Sequence, residues 1–373
     1  MDSFRHRIDN HEKPALAGIK SARMEQRFSP LTDPRWHRFV SRHARASVFH
    51  SSPWLRALNI TYGYPVVGYT TSLPGQELEN AIIFCRVESW LTGRRLVSLP
   101  FSDHCEPLVD RQEDLQALLA QLEGEARRER WRYIETRPLT PVDIASSLNS
   151  TSIDYSFFEV DLQPDLEKLF SNLHKDSIER KIRRAQRENL TYEEGTSESQ
   201  LKDFYRLLTI TRARHGLPPQ PRKWFQNLVN CFEDALKIRI VRKDGRALAA
   251  MLTLRHKDRL VYKYGGADSN YNRLGGMHLL FWRSIEEAKI SGLRFFDLGR
   301  TDIGQTGLRT FKRRWGAKES LLRYTRYTLS DNSSRVFDLS TSSQRKSPAR
   351  EVLAHLPRGV MSLLGRALYK HLG

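Results

Sequence analysis

The chain has 373 residues, of which 61 are Lys or Arg and 43 are Asp or Glu, so its formal net charge is +18 at pH 7. This length and a hydrophobic content of 39% allow roughly two or three domains with buried cores. The positive charge favours an anionic partner, whether nucleic acid, a phosphorylated small molecule or an acidic membrane surface. A basic surface that serves only solubility is the alternative.

Several classes of protein are excluded by the sequence. Residues 1–20 are polar and lack the apolar region of a signal peptide. No stretch approaches the roughly eighteen apolar residues that a membrane-spanning helix needs. The three cysteines are scattered and show no zinc-ligand spacing. We therefore expect a cytoplasmic protein with reduced thiols and no metal, and the sequence does not indicate its oligomeric state.

The first part of the chain predicts a mobile arm followed by one α/β domain. Residues 1–30 are polar and unpatterned, which is typical of an arm. Residues 31–150 are interpreted as the first domain. Its predicted strands are 65–71, 79–89, 95–99 and 131–137, and its predicted helices are 51–58 and 110–130. The Ser-, Thr- and Pro-rich residues 140–152 predict a linker.

Residues 151–330 predict a second domain. Its predicted strands are 155–162, 236–242, 247–256, 259–265, 294–298 and 321–329, and its predicted helices are 165–189, 198–214, 222–235, 276–290 and 307–315. Short turns join strands 236–265 into an antiparallel meander. The two halves share the order helix, meander, helix, strand, which indicates a fold duplicated at domain scale.

The C-terminal part predicts a flexible linker, 331–350, and an amphipathic helix, 351–373. Leucines and valines lie on one side of this helix, whereas arginines, a lysine and a histidine supply positive charge. Two interpretations stay open: a weak anchor at the inner face of the membrane, or a helix that packs on the domain.

Three residues near the end of the second domain are predicted to be catalytic. Asp297 lies inside an apolar run and needs a partner when buried, so it either organises the site or acts as a general base. Arg300 follows closely and can supply a cation. Lys312, in the basic helix 307–315, can place its ammonium against a carbonyl oxygen and stabilise an oxyanion.

A glycine loop opens the predicted helix 276–290. Glycines let a backbone approach an anion closely, and a helix start offers unpaired N–H groups. Turn geometry alone explains the same glycines equally well. Further glycines and a tyrosine end the strand 259–265. The predicted donor- or phosphate-binding residues are Tyr264, Gly265, Gly266, Arg273, Gly275 and Gly276.

A basic helical face is predicted within residues 165–189. Arg180, Arg184 and Arg187 follow the spacing i, i+4, i+7 and lie opposite the apolar positions. Such a face binds RNA or phosphates in some proteins and is only solvated in others. We interpret it as a candidate anion-binding site.

Five segments resemble the Fem family of non-ribosomal peptidyltransferases, and more specifically their FemAB-like or BioF2-like acetyltransferase relatives in the GNAT superfamily. The segments are VSLPFSDH (97–104), RKIRRA (180–185), YKYGG (262–266), FDLGR (296–300) and GLRTFKRRWGA (307–317). The resemblance extends over roughly residues 45–330. It implies an α+β fold of two tandem GNAT-like domains, each with a mixed, mostly antiparallel sheet flanked by helices.

The resemblance also implies a reaction and a place for it. Fem enzymes transfer an aminoacyl group from aminoacyl-tRNA to an amine of a peptidoglycan precursor, and the lysine at the position of Lys312 is linked to donor binding and transition-state stabilisation. In a GNAT fold the acyl group lies where two neighbouring strands diverge, here 259–265 and 294–298. One departure concerns the pyrophosphate loop, because Arg273 and Gly276 fit its pattern but His278 occupies its last position.

Three functions are therefore considered. The first is an acyltransferase that uses acyl-CoA as co-substrate and acts on an amine of a cell-envelope or exopolysaccharide sugar. The second is an aminoacyl-tRNA-dependent transferase that acts on a peptidoglycan precursor. The third is a catalytically inactive GNAT pair that binds RNA or an anionic glycan. The high positive charge favours the second over the first, whereas the sequence names neither the acyl group nor the acceptor.

Overall fold

The computed structural model describes residues 26–140, 148–328 and 357–372. Within these ranges, twelve strands form one mixed sheet in the order β1-β2-β3-β4-β5-β12-β6-β11-β10-β9-β8-β7. The strands are β1 Gln26–Phe28, β2 Val66–Thr70, β3 Ile82–Ser89, β4 Gly93–Val97, β5 Tyr133–Thr136, β6 Asn149–Asp161, β7 Thr191–Gly195, β8 Leu236–Lys243, β9 Arg246–His256, β10 Arg259–Ala267, β11 Phe295–Asp302 and β12 Lys318–Thr328. The pairs β4–β5 and β10–β11 are parallel, and the other neighbours are antiparallel.

Helices cover both faces of this sheet. They are α1 Pro34–Arg42, α2 Ser52–Tyr62, α3 Gln112–Glu129, α4 Leu166–Ser171, α5 Arg180–Arg187, α6 Glu198–Arg214, α7 Arg222–Phe232, α8 Gly276–Ile290, α9 Thr306–Arg313 and α10 Arg358–Leu372. Local signals set several of their ends. Asp33 caps α1 by accepting from the N–H of Arg35, Ser197 and Gln200 form a capping box at α6, and Gly63 ends α2 in the left-handed conformation.

The predicted tandem arrangement is confirmed by the topology. The first half builds the meander β2-β3-β4 and the parallel neighbour β5, and the second half repeats this with β8-β9-β10 and β11. The halves join through β12, which pairs with β5 on one side and with β6 on the other. The two GNAT-like units therefore share a single sheet.

The core on one face of the sheet is also shared between the halves. Trp54 of α2 packs edge-on against Trp224 of α7, with ring centroids 5.3 Å apart. One continuous buried cluster contains residues of α1, α2, α6, α7 and α10. Separate clusters lie under α3 in the first half and under α8 in the second. The relative position of the halves is thus determined by hydrophobic packing as well as by strand pairing.

Most predicted elements are confirmed within a few residues, and helix 276–290 has the predicted bounds. Three predictions are wrong. The end of the supposed mobile arm forms β1, which pairs with β2. The end of the predicted linker 140–152 is strand, because β6 begins at Asn149 and pairs along its length with β12. The sequence analysis also missed α1.

The third error is the long helix predicted for 165–189. The structure breaks it into α4, a π turn at Lys175–Glu179 and α5. His174 leaves the helical conformation, and its N–H donates to the carbonyl of Arg314 at 3.1 Å. A tertiary contact thus replaces the continuous helix that the apolar spacing indicated. The predicted linker 331–350 and residues 1–25 lie outside the described residues.

Gly266 is where α6 approaches β10 most closely. A Cβ at this position would lie 2.5 Å from backbone atoms of Leu207 and Leu208. We expect Gly266→Ala to lower the free energy of unfolding by about 1–3 kcal/mol, because backbone cannot move aside as a flexible side chain can. The matched change is Gly124→Ala in α3, where a Cβ meets nothing within 4 Å and helix propensity improves. Urea unfolding of both variants measures the difference, and equal stabilities would contradict the packing argument.

Candidate active site

The candidate site opens where β10 and β11 diverge. The two strands pair in parallel only from Arg259–Val261 to Phe295–Asp297. Beyond this point each strand has an irregularity on its other side: β10 shifts its register with β9 after Tyr262, and β11 shifts its register with β6 after Asp297. The predicted divergence of these strands is therefore present, and it leaves a gap between Lys263 and Gly299.

A loop from the first half enters this gap. It follows β4 and places Asp103 so close to Gly299 that a Cβ there would lie 3.1 Å from the Asp103 carboxylate. Gly299 also has φ +72°, a conformation that favours glycine. Within the loop, Leu99 and Phe101 have φ of 55° and 63°, values that non-glycine residues rarely adopt. This strain is located at the tip that presents Asp103.

Surrounding side chains hold the loop in place. Arg137 Nη1 donates to the carbonyls of Leu99 at 2.9 Å and Ser102 at 3.3 Å. Tyr324 of β12 donates its hydroxyl proton to the carbonyl of Asp103 at 2.5 Å. The loop conformation is thus maintained by Arg137, which follows β5, and by Tyr324 of β12, together with the hydrogen bond from the Ser102 hydroxyl to the Leu99 carbonyl within the loop.

Asp103 and Lys263 form an ion pair between the two halves. Lys263 Nζ donates to Asp103 Oδ2 at 2.9 Å. Burial would raise the pKa of Asp103, but Lys263, Arg300 and Lys312 outweigh it and hold that pKa below its ordinary value. Burial lowers the pKa of Lys263, and Asp103 opposes this in part. The second carboxylate oxygen of Asp103 accepts no hydrogen bond from the described residues, so it remains available to a ligand.

Lys312 lies on the other side of the gap. It is 4% exposed, and its Nζ donates to the carbonyls of Gly299 at 3.0 Å and Arg300 at 3.1 Å. An ammonium has three N–H groups, so one is left for a substrate oxygen. Burial lowers the pKa of Lys312 to about 8, with Asp103 and Asp297 opposing the shift. Lys312 and Asp297, which the sequence predicts as site residues, are therefore near each other in the structure.

Asp297 organises the backbone around Lys312. It is 1% exposed, and its Oδ1 accepts from the N–H of Gly299 at 2.6 Å. Its Oδ2 lies 3.7 Å from His104 Nε2, which belongs to the loop from the first half. By fixing the Gly299 peptide, Asp297 aims the carbonyls that bind Lys312. Its position supports the architectural interpretation, and a role as general base stays a prediction.

Arg300 presents a guanidinium without a hydrogen-bond acceptor among the described residues. Its Cζ lies 4.2 Å from the ring centroid of Tyr155 and 5.1 Å from that of Tyr324. Cation–π contacts of this kind hold the group while leaving its N–H edges available. Arg300 is therefore placed to bind a carboxylate or a phosphate beside Asp103 and Lys312.

The glycines at the end of β10 border the gap but have packing roles. The Tyr264 hydroxyl accepts from Trp224 Nε1 at 3.0 Å. A Cβ at Gly265 would overlap the Tyr262 hydroxyl, and Gly266 contacts the α6 backbone. Their small size is required by close packing, which explains these residues without a bound phosphate.

The glycine loop before α8 is packed closely against α5 and the sheet. Gly275 has φ +79°, and a Cβ there would lie 2.5 Å from the carbonyl oxygen of Lys181 in α5. Gly276 packs similarly on Ala249 and Val241 of the sheet. Arg273 is exposed nearby. Because α5 lies against this loop, little space is left for the phosphate that the sequence predicts at Gly275 and Gly276.

The predicted basic face is located on α5 and is exposed. Arg184 pairs with Glu188 at 3.3 Å, whereas Arg180 and Arg187 form no ion pair with another described residue. These arginines lie next to the glycine loop, since Lys181 of the same helix contacts Gly275. The arrangement offers cations to a large anion at the surface near the gap.

Four residues of the site were not predicted from the sequence: Asp103, His104, Lys263 and Tyr324. Two signals could have found them. Asp103 and His104 belong to a segment that carried the family resemblance, and they directly follow the end of a strand. Lys263 lies between two tyrosines in a strand that is apolar after its first residue, and a lysine there needs a partner when it is buried.

Known protein families and proteins resemble parts of this chain. Residues 173–344 match the family model of an acetyltransferase (GNAT) domain, a range that includes Lys263, Asp297, Arg300 and Lys312 but not Asp103. The chain is 26% identical over 97 residues to the UDP-N-acetylmuramoylpentapeptide-lysine N(6)-alanyltransferase of Weissella viridescens. That alignment spans 26% of this chain and 29% of that enzyme.

Two solved structures share the fold. FemX superposes with a TM-score of 0.63 at 15% identity, covering 80% of this chain and 96% of FemX. The C-terminal domain of a protein assigned as a lysylphosphatidylglycerol synthetase from Agrobacterium fabrum superposes with a TM-score of 0.51 at 16% identity, covering 79% and 90%. The matched domain, the similarity to the alanyltransferase and the superposition on FemX together support a FemAB-like protein with the GNAT fold.

Proposed function

We propose that this protein transfers an aminoacyl group from aminoacyl-tRNA to an amine of a peptidoglycan precursor. The observation that carries the proposal is the gap between β10 and β11. There the Lys312 ammonium, with one uncommitted N–H, lies within the same charged cluster as an Asp103–Lys263 pair supplied by both halves. The similarity to the Weissella alanyltransferase supports this choice of donor and acceptor.

The proposed chemistry assigns a task to each side chain. The free oxygen of Asp103, which its low pKa keeps ionised, attracts and orients the acceptor ammonium, and this ammonium loses one proton to solvent. The amine attacks the ester carbonyl, and Lys312 donates to the oxyanion that forms. A C–N bond replaces the C–O bond, and the second proton that the nitrogen loses passes to the departing ribose oxygen. Arg300 binds a carboxylate or phosphate of a substrate and so positions it.

Packing at the glycine loop favours aminoacyl-tRNA over acyl-CoA. A coenzyme A pyrophosphate needs close access to the N–H groups at the start of α8. Gly275 and Gly276 are closely packed on α5 and the sheet, and His278, buried against Phe311 and Trp315, occupies the last position of the pattern. The exposed arginines of α5 are better suited to a phosphodiester backbone on the surface.

An acyl-CoA-dependent transferase acting on a sugar amine is the second candidate, supported by the match to an acetyltransferase domain. An experiment separates the two donors. Purified protein is given a muramoyl-pentapeptide precursor and either alanyl-tRNA or acetyl-CoA, and the products are identified by mass spectrometry. We expect transfer only with alanyl-tRNA and its loss after RNase treatment. Transfer from acetyl-CoA that survives RNase would favour the second candidate.

We predict that Lys312→Ala and Lys312→Met each lower kcat/KM by roughly 100-fold or more, as the loss of an oxyanion donor typically does. The methionine variant retains most of the buried volume, so it separates the lost charge from a lost side chain. Thermal melting of each variant monitors folding. A folded Lys312→Met protein with wild-type rates would contradict the role of the ammonium.

The pH dependence follows from the pKa of Lys312, which is about 8. Only the protonated form of Lys312 stabilises the oxyanion. This form predominates below pH 8 and is lost as the pH rises above 8. We predict a fall in kcat/KM above about pH 8 in the wild-type protein and no such fall in the residual activity of Lys312→Met. Rates measured from pH 6 to 10 test this, and a wild-type rate that still rises at pH 9.5 would exclude it.

A further inference from the structure

The C-terminal helix α10 is packed on the protein by its inner side. Met361 is fully buried, and a Cβ at Gly365 would overlap the carbonyl of Pro219. Tyr369 donates its hydroxyl proton to the carbonyl of Pro218 at 3.1 Å and accepts from Arg212 at 2.9 Å. Of the two interpretations of this helix, packing on the domain is therefore correct for its inner face.

The outer side of α10 keeps an apolar stripe in solvent. Val360 is 40% exposed and Leu363 is 61% exposed. With the exposed Ala367 they follow the spacing i, i+3, i+7, which aligns them along one face of a helix. The stripe ends at His371, whose ring contacts Trp90 with centroids 5.8 Å apart.

Trp90 and Leu91 extend the stripe onto the turn between β3 and β4. Trp90 is 86% exposed and Leu91 is 51% exposed, values that are unusual for large apolar side chains. The turn is joined firmly to α10, since Ser89 Oγ lies 2.9 Å from His371 Nδ1 and the Thr92 hydroxyl donates to the His371 carbonyl at 3.0 Å. Trp90, Leu91, Val360 and Leu363 thus form one preformed apolar surface.

The two segments that form this apolar surface carry charge of one sign only. Neither residues 89–95 nor residues 358–372 contain an acidic residue. Arg366 and Lys370 are exposed on α10, and Arg132 is exposed beside the turn, where it donates to the Thr92 carbonyl. None of these three forms an ion pair with another described residue. A cationic rim around an exposed tryptophan and leucine is complementary to anionic lipid headgroups over acyl chains.

We propose that the apolar surface docks the protein onto an anionic lipid bilayer. None of the helices in the described ranges is long and apolar enough to cross a membrane. Tryptophan favours the boundary between headgroups and acyl chains, whereas the basic rim provides an attraction that depends on salt. The inner side of the same helix contacts the site loop, since Tyr369 and Phe101 have ring centroids 5.7 Å apart. Docking would therefore bring the Asp103 loop near the membrane surface.

The test uses the fluorescence of Trp90. All seven tryptophans lie in the described part of the chain, and the other six are at most 5% exposed. The full chain is mixed with vesicles of phosphatidylglycerol and phosphatidylcholine, with and without brominated acyl chains. We expect flotation with the anionic vesicles, a shift of tryptophan emission to shorter wavelength, and quenching by the brominated lipid. Flotation should weaken as salt is raised and be absent with pure phosphatidylcholine.

Matched variants make the test specific. Trp90→Ser combined with Leu363→Ser should lower the vesicle partition coefficient by about a hundredfold or more, since each of the two buried apolar side chains contributes about tenfold or more. Ile290→Ser changes an equally apolar residue that is 78% exposed at the end of α8, and it should leave partition unchanged. Trp90→Phe should retain flotation and lose the quenched signal.

Three results would overturn the proposal. The first is no flotation with anionic vesicles, and the second is flotation without quenching of Trp90. The third is a dimer in lipid-free sedimentation that Leu363→Ser dissociates, which would assign the surface to a second copy of the chain. None of these measurements requires transferase activity, so the outcome is independent of the proposed function.

Discussion

The Asp103–Lys263 ion pair is the contact on which the arrangement of the site depends. Each half contributes one charge, and neither charge has another neutralising partner as close. A buried ammonium or carboxylate left alone costs far more than the pair does, so the halves are electrostatically required to meet at this point. The shared sheet and the shared core bring the halves together, and the ion pair sets where the first-half loop ends.

The duplicated halves use the same topology for different purposes. In each half the parallel pairing ends at an acid: Val97 is paired with Glu135, and Val261 with Asp297. In the first half Glu135 is neutralised by Arg137 and Arg326. Cys105 forms an isolated antiparallel β-bridge with Arg137, so the space beyond the paired part of β4 and β5 is filled by the chain itself. In the second half the acid binds a backbone N–H, and the gap is left for Lys312 and for the loop of the first half. The first half thus supplies one wall of the site, and the second half contains the gap itself.

Several glycines are required for the geometry of the site and its surroundings, and the physical reason differs from one glycine to the next. Gly299 combines a left-handed backbone with the approach of the Asp103 carboxylate, whereas Gly266 and Gly275 permit helices to contact the backbone. The glycine loop before α8, which the sequence predicts to bind a phosphate, is packed against α5. The cations next to it, on the outer side of α5, remain exposed to solvent.

The sequence by itself determined most element types and the duplication, and its family resemblance indicated the divergence of two strands and the candidate residues Lys312, Asp297 and Arg300. The element types and the duplication follow from local periodicity and turn residues, which act over a few residues, whereas the strand divergence follows from the resemblance to GNAT folds. Only the tertiary structure decided that Asp103 and Lys263 meet, that helix 165–189 is broken at His174, and that β12 joins the halves. Those features depend on contacts between residues far apart in the chain, such as Tyr324 and Asp103, which are 221 positions apart, and no local pattern in a single sequence encodes such a contact.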